Sequence, residues 1–184
     1  MLRSINNYKQ TWLLAFLNIG LFFLLLFLSK WDSNIPLYFS AWKFQTGLFA
    51  PYQLITYQFI HSDLTHLYFN MLTLLPVSVY LEPSIKSPKL FWYFLLCGII
   101  SGALHLIFYN ENLPLVGASG SIWGLSVLLA LTRQSKVLKI LVFGLFFLEI
   151  WKYFTIESSQ VAHLCHIGGG IAGFLIYFFE KKSW

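Results

Sequence analysis

From Thr11 to Leu28 the chain runs without a charged side chain, and five further apolar runs follow. A bilayer core about 30 Å thick is crossed by about 20 apolar residues in helical form. Backbone in lipid must satisfy its own hydrogen bonds, so such runs are helices and not open strands. The sequence therefore predicts an all-α membrane protein of six spans, at 11–28, 54–81, 90–109, 119–131, 137–154 and 161–179. Composition agrees: 58% of the 184 residues are hydrophobic and only 10% are charged, against about 25% charged in soluble domains. So few charges cannot cover that much apolar surface in water, which excludes a soluble enzyme, a disordered chain and a coiled coil. Two cysteines make no disulfide framework. No repeat, low-complexity stretch or domain boundary interrupts residues 1–184, so one membrane-embedded domain is expected.

The net charge of +5 is read as topology. With the N-terminus inside and six spans, the inner side receives Arg3, Lys9, Lys86, Lys89, Arg133, Lys136, Lys139, Lys181 and Lys182. The outer side receives Lys30, Lys43 and Lys152. This positive-inside bias puts both termini in the cytoplasm, and it leaves no basic patch that asks for nucleic acid. The first run is long and has no small-residue cleavage site, so it reads as a retained span. The long connection 29–53 carries Trp31, Tyr38, Trp42 and Phe49, and such aromatics favour the membrane interface.

Ionisable and polar residues inside a bilayer are functional suspects. The run 119–131 is short: its thirteen residues reach only about 20 Å as a helix. Anchored at its inner end by Arg133 and Lys136, its outer end stops about 10 Å below the surface. Ser119 then sits at a submerged helix N-terminus with unpaired N–H groups around it. Backbone at that depth must line protein or a water-filled cavity, with 110–116 as its wall. If the sixth run starts near Gln160, His166 lies about 9 Å deep, level with Ser119. The small-residue pairs Gly120/Gly124 and Gly169/Gly173 let two helix backbones approach. A serine hydroxyl beside a histidine is an activated-nucleophile arrangement. His66 and Asn70 share one helix face, and donors of that kind stabilise a developing oxyanion. His61, on another face of the same run, is expected to be structural or at the cavity mouth. Cys97 and Cys165 are expected in the core.

These residues resemble the rhomboid family of intramembrane serine proteases. The resemblance rests on HSDLTHLYFN at 61–70, GASG at 117–120 and AHLCHIGGGIAG at 162–173, in that order on the second, fourth and sixth spans. The six-span core looks like the bacterial form, which implies the inner membrane. The resemblance implies Ser119 as nucleophile and His166 as general base and acid, in a dyad without a third carboxylate. It implies an oxyanion hole of His66, Asn70 and the Ser119 N–H, and a Gly117 that lets the loop approach the substrate. His163 competes for the base role, but the Gly169/Gly173 spacing behind His166 matches the family motif. The fifth span, with Phe146, Phe147 and Trp151, takes the place of a lateral gate. The family's first loop usually carries Trp-Arg where this chain has Tyr52-Gln53.

The implied function is hydrolysis of a peptide bond in or near a transmembrane helix of a substrate entering from lipid. The alternative is a catalytically silent relative that binds membrane proteins. A transporter would need pseudo-symmetric halves, and none is visible. No cofactor is implied. A metal held by His61, His66, His163 and His166 is not expected either, since no HExxH spacing or carboxylate partner is apparent.

Overall fold

The computed structural model of the chain describes residues 8–85, 88–109, 112–156 and 162–180. Arg3, Lys86, Lys181 and Lys182 of the basic tally lie outside the described residues, as do Asn110 and Glu111 of the expected cavity wall and the Gln160–Val161 start of the sixth run. Eight α-helices are found among the described residues: α1 (Lys9–Leu28), α2 (Ile35–Phe39), α3 (Gln53–Thr56), α4 (Leu64–Leu81), α5 (Lys89–Phe108), α6 (Ser119–Thr132), α7 (Lys136–Thr155) and α8 (His163–Glu180). Three of them, α1, α4 with its short extension to Ser84, and α5, are long and apolar enough to cross a membrane.

The fourteen-residue α6 is the hub. It packs against α4, α5, α7 and α8 and buries ten residues from Gly120 to Ala130. Small residues make this possible. A Cβ built on Gly169 would strike the Gly120 carbonyl oxygen, with the carbonyl carbon at 2.8 Å and the Cα at 3.2 Å. One on Gly173 would strike Gly124 in the same way. The two small-residue pairs thus face one another in register, and backbone meets backbone.

One end of the bundle is tied by charge. The Glu82 carboxylate, buried just past α4, accepts from the backbone N–H groups of Gln10 and Thr11, each at 2.9 Å, and from the Thr11 hydroxyl at 2.7 Å. Since α1 has no side-chain cap of its own, Glu82 satisfies the orphan donors of its first turn from across the fold. Lys89 pairs with Glu180, and Arg133 donates to the Tyr80 carbonyl, at the same end. Each buried donor left unpaired costs about 1–3 kcal/mol. Glu82→Ala is therefore expected to destabilise the fold by about 3 kcal/mol, read as a lowered thermal midpoint in detergent micelles. An unchanged midpoint would refute this capping role.

The expected run 54–81 is divided. Helix α3 and a 3-10 turn at Tyr57–Phe59 precede an extended Ile60, and α4 begins only at Leu64. The cause is Asp63, whose backbone is extended and whose side chain accepts the His66 N–H at 2.8 Å. An aspartate N-cap starts a new helix here. The long connection 29–53 is also ordered, by Gln53. Its amide oxygen accepts from the N–H groups of Trp42 (3.4 Å) and Ala50 (3.1 Å), and its amide nitrogen donates to the carbonyls of Tyr38 and Leu48, both at 3.2 Å. At the place where the resemblance implies Trp-Arg, a buried glutamine organises this loop.

Candidate active site

At the opposite end, the N-termini of α4, α6 and α8 converge with the last third of α7. Ser119 is the first residue of α6, and Ala118 before it supplies no side-chain cap. The loop leading to Ser119 is pinned at two places. Leu115 exchanges backbone hydrogen bonds with Ala41 at 2.8 and 3.0 Å, and the Gly117 N–H donates to the Tyr57 carbonyl at 2.9 Å. Tyr57 is buried, and its hydroxyl donates to the Gly98 carbonyl at 2.7 Å. Gly117 has φ +111°, and a Cβ there would sit 2.7 Å from His66 Cε1 and Nε2. Glycine is required both by its backbone angle and by the imidazole against it.

The Gly120–Gly169 contact sets the registry of α6 on α8, and His166 Nε2 comes to 2.9 Å from Ser119 Oγ. The Trp123 ring lies 6.0 Å from the His166 ring, and Phe146 of α7 lies the same distance from Trp123. His163 does not take that position. Its Nδ1 lies 2.7 Å from Glu149 Oε2.

Glu149 is what the sequence reading missed. The same Oε2 atom is 2.7 Å from His166 Nδ1, and Oε1 is 3.5 Å from Lys152 Nζ. The expected dyad without a carboxylate is therefore corrected: a third group stands behind His166. The expectation that no carboxylate accompanies the histidines is corrected with it. The signal was present, since an acidic residue inside an apolar run is a functional suspect, but which neighbour it meets depends on how α7 docks. The ligating atoms of Glu149, His163 and His166 lie within 4.8 Å of one another. Two ligands of one tetrahedral zinc ion sit about 3.3 Å apart. The 2.7 Å contacts here are direct hydrogen bonds.

His66 and Asn70 flank the other side. His66 Nδ1 is engaged by Ser62 Oγ at 3.1 Å, which leaves its Cε1–Nε2 edge against Gly117. Asn70 is buried. Its Nδ2 would be 3.6 Å from a Cβ at Gly117 and has no hydrogen-bond partner among the described residues. A buried donor left unspent is unfavourable unless a ligand takes it up. Asp63, held by the His66 N–H and then by the Ser62 hydroxyl, titrates below the usual carboxylate range. His61 lies before α4 and not on it, which corrects its expected helical offset from His66. Their rings meet edge to face at 5.1 Å. Burial pushes its imidazole down to about 4, and neither ring nitrogen has a hydrogen-bond partner among the described residues. Of the three aromatics expected at a gate, only Phe146 turns inward, against Gly170 of α8. Phe147 and Trp151 are 68% and 67% exposed on the outer face of α7. Cys97 and Cys165 are buried, and Ser101 Oγ donates to the Cys165 carbonyl at 2.6 Å.

Residues 49–183 match the family model described as the Rhomboid domain. The chain belongs to the rhomboid family. Its family and its three helices long and apolar enough to cross a membrane make this rhomboid an integral membrane protein. It is similar to Rhomboid-related protein 1 of Caenorhabditis elegans, at 30% identity over 68% of this chain and 40% of the relative. It is also similar to Rhomboid-like protein 11, chloroplastic, of Arabidopsis thaliana, at 24% identity over 72% of this chain and 54% of the relative. A third relative, Inactive RHOMBOID-like protein 8 of Arabidopsis thaliana, is 27% identical over 46% of this chain and 24% of its own length. The rhomboid thus spans about half or less of the length of these relatives.

Proposed function

We propose that this rhomboid is an intramembrane serine endopeptidase that hydrolyses a peptide bond in or near a substrate's transmembrane helix. The observation that carries the reading is the 2.9 Å approach of His166 Nε2 to Ser119 Oγ beside an Asn70 Nδ2 that has no hydrogen-bond partner among the described residues. The protein is a single domain of six spans with both termini inside. Ser119 lies below the outer surface, at the head of the short α6. The substrate helix enters from lipid past α7, the least apolar span.

The chemistry follows from the donor and acceptor set. Ser119 Oγ attacks the scissile carbonyl carbon while its proton passes to His166 Nε2. The oxyanion takes hydrogen bonds from Asn70 Nδ2, His66 and the Ser119 N–H, at a helix N-terminus where the dipole favours negative charge. His166 returns the proton to the leaving nitrogen as the C–N bond breaks. A water molecule then attacks the acyl carbon as His166 takes its proton, and His166 passes that proton to Ser119 Oγ as the acyl C–O bond breaks, releasing the carboxylic acid product.

The test is cleavage of a transmembrane reporter by the purified protein in liposomes, with fluorophosphonate labelling read by mass spectrometry. Labelling of Ser119 together with cleavage is expected. The similarity to an inactive relative favours a second reading, a silent binder of membrane proteins. A folded protein that neither cleaves nor labels would replace the first reading with that one. Asn70→Ala is expected to lower kcat about 100-fold or more, the usual loss on removing one oxyanion donor, with KM little changed. A kcat equal to that of wild type would remove Asn70 from the oxyanion site.

A further inference from the structure

Helix α7 is attached loosely: of its twenty residues only Val142 and Glu149 are buried. One of the two is a carboxylate, and it faces the histidine that touches Ser119. An ionised carboxylate only accepts hydrogen bonds. With Oε2 at 2.7 Å from both His163 Nδ1 and His166 Nδ1, each imidazole carries its proton on Nδ1 and donates it. A neutral His166 then has Nε2 bare, 2.9 Å from the Ser119 hydroxyl, as a general base requires. The alternative tautomer would have Nε2 donate to the Ser119 hydroxyl and leave no lone pair there to take its proton.

We propose that Glu149 is a positioning residue for His166, holding it in the tautomer that accepts the Ser119 proton and compensating the imidazolium formed when it does. The inference rests on the serine protease reading and adds a third member, supplied by α7. In the proton ledger, Ser119 loses one proton as its C–O bond forms, His166 gains it at Nε2, and Glu149 stays ionised throughout. Lys152 at Oε1 and His163 at Oε2 hold the carboxylate from either side. Because α7 carries the carboxylate, the base is complete only while α7 is docked on α8. Access for substrate and readiness of the nucleophile are thereby linked in one helix.

The test is Glu149→Gln in the full chain in liposomes, reading kcat, KM, the rate of fluorophosphonate labelling and the thermal midpoint. Glutamine keeps the shape but removes the charge, and its amide can present N–H groups to His166 and stabilise the wrong tautomer. The precedent of a triad carboxylate exchanged for its amide is a loss of about 10⁴-fold in kcat. A loss of at least about 30-fold is expected here, equal in kcat and labelling rate, with KM and midpoint unchanged. Glu149→Ala is expected to lose at least as much. Wild-type kcat in Glu149→Gln would overturn the proposal. So would a lowered midpoint or altered KM with kcat retained, which would make Glu149 only a tether for α7. A wild type that neither labels nor cleaves would instead defeat the protease reading beneath it.

Discussion

Ser119→Ala and His166→Ala are each expected to lower kcat by at least about 10³-fold, and the double variant is expected to be no slower than either alone. Members of one proton-transfer unit fail together, because the nucleophile without its base, or the base without its nucleophile, leaves only the residual rate of binding and oxyanion contacts. Neither change should cost the fold. Ser119 stands at the first position of α6, where a helix tolerates alanine, and His166 is only partly buried. The measurement is reporter cleavage in liposomes with the thermal midpoint as control. Additive losses in the double variant would mean that the two side chains act separately, despite their 2.9 Å contact. Full cleavage by Ser119→Ala would end the serine mechanism.

Gly169→Val is expected to abolish activity and lower the thermal midpoint sharply. The added Cβ would meet the carbonyl carbon of Gly120 at 2.8 Å and its Cα at 3.2 Å. These are helical backbone atoms, so no rotamer change relieves the contact. The helices must separate, at a cost of about 3 kcal/mol or more. Separation also lengthens the Ser119–His166 contact, since the same two helices hold both residues. Gly144→Ala is the matched control: nothing lies within 4 Å of its added Cβ on the outer face of α7. Activity there should stay within about twofold of wild type, as for other exposed substitutions. Normal midpoint and cleavage in Gly169→Val would show that the α6–α8 seam does not position the site.

Much of this was legible because it is local. The apolar runs at 11–28 and 90–109 correspond to α1 and α5, and the short run at 119–131 corresponds to α6. The spacing of Gly120, Gly124, Gly169 and Gly173 pointed to a close helix pair, and the clash geometry places them in register. The run 54–81 differs from the structure because hydropathy averages over Asp63. That residue is the N-cap of α4, with extended backbone and a side chain that accepts the His66 N–H. The three aromatics of the fifth run do not share a face, because a helix turns neighbouring positions apart: Phe147 and Trp151 face outward and Phe146 inward.

The sequence by itself determined the environment, most of the helices and the small-residue seam that can bring serine near histidine. Span length, charge placement and small-residue spacing act through the chain's own backbone and its solvent. Only the tertiary structure decided what the buried acids do. Glu82 caps a helix 71 residues before it, and Glu149 reaches past its own helix to two histidines on the next. A carboxylate in an apolar bundle must find donors to offset its lost hydration, but the sequence does not say which donors. That choice depends on how the helices rotate and dock, and here the docking of α7 on α8 brought Glu149 to the back of His166.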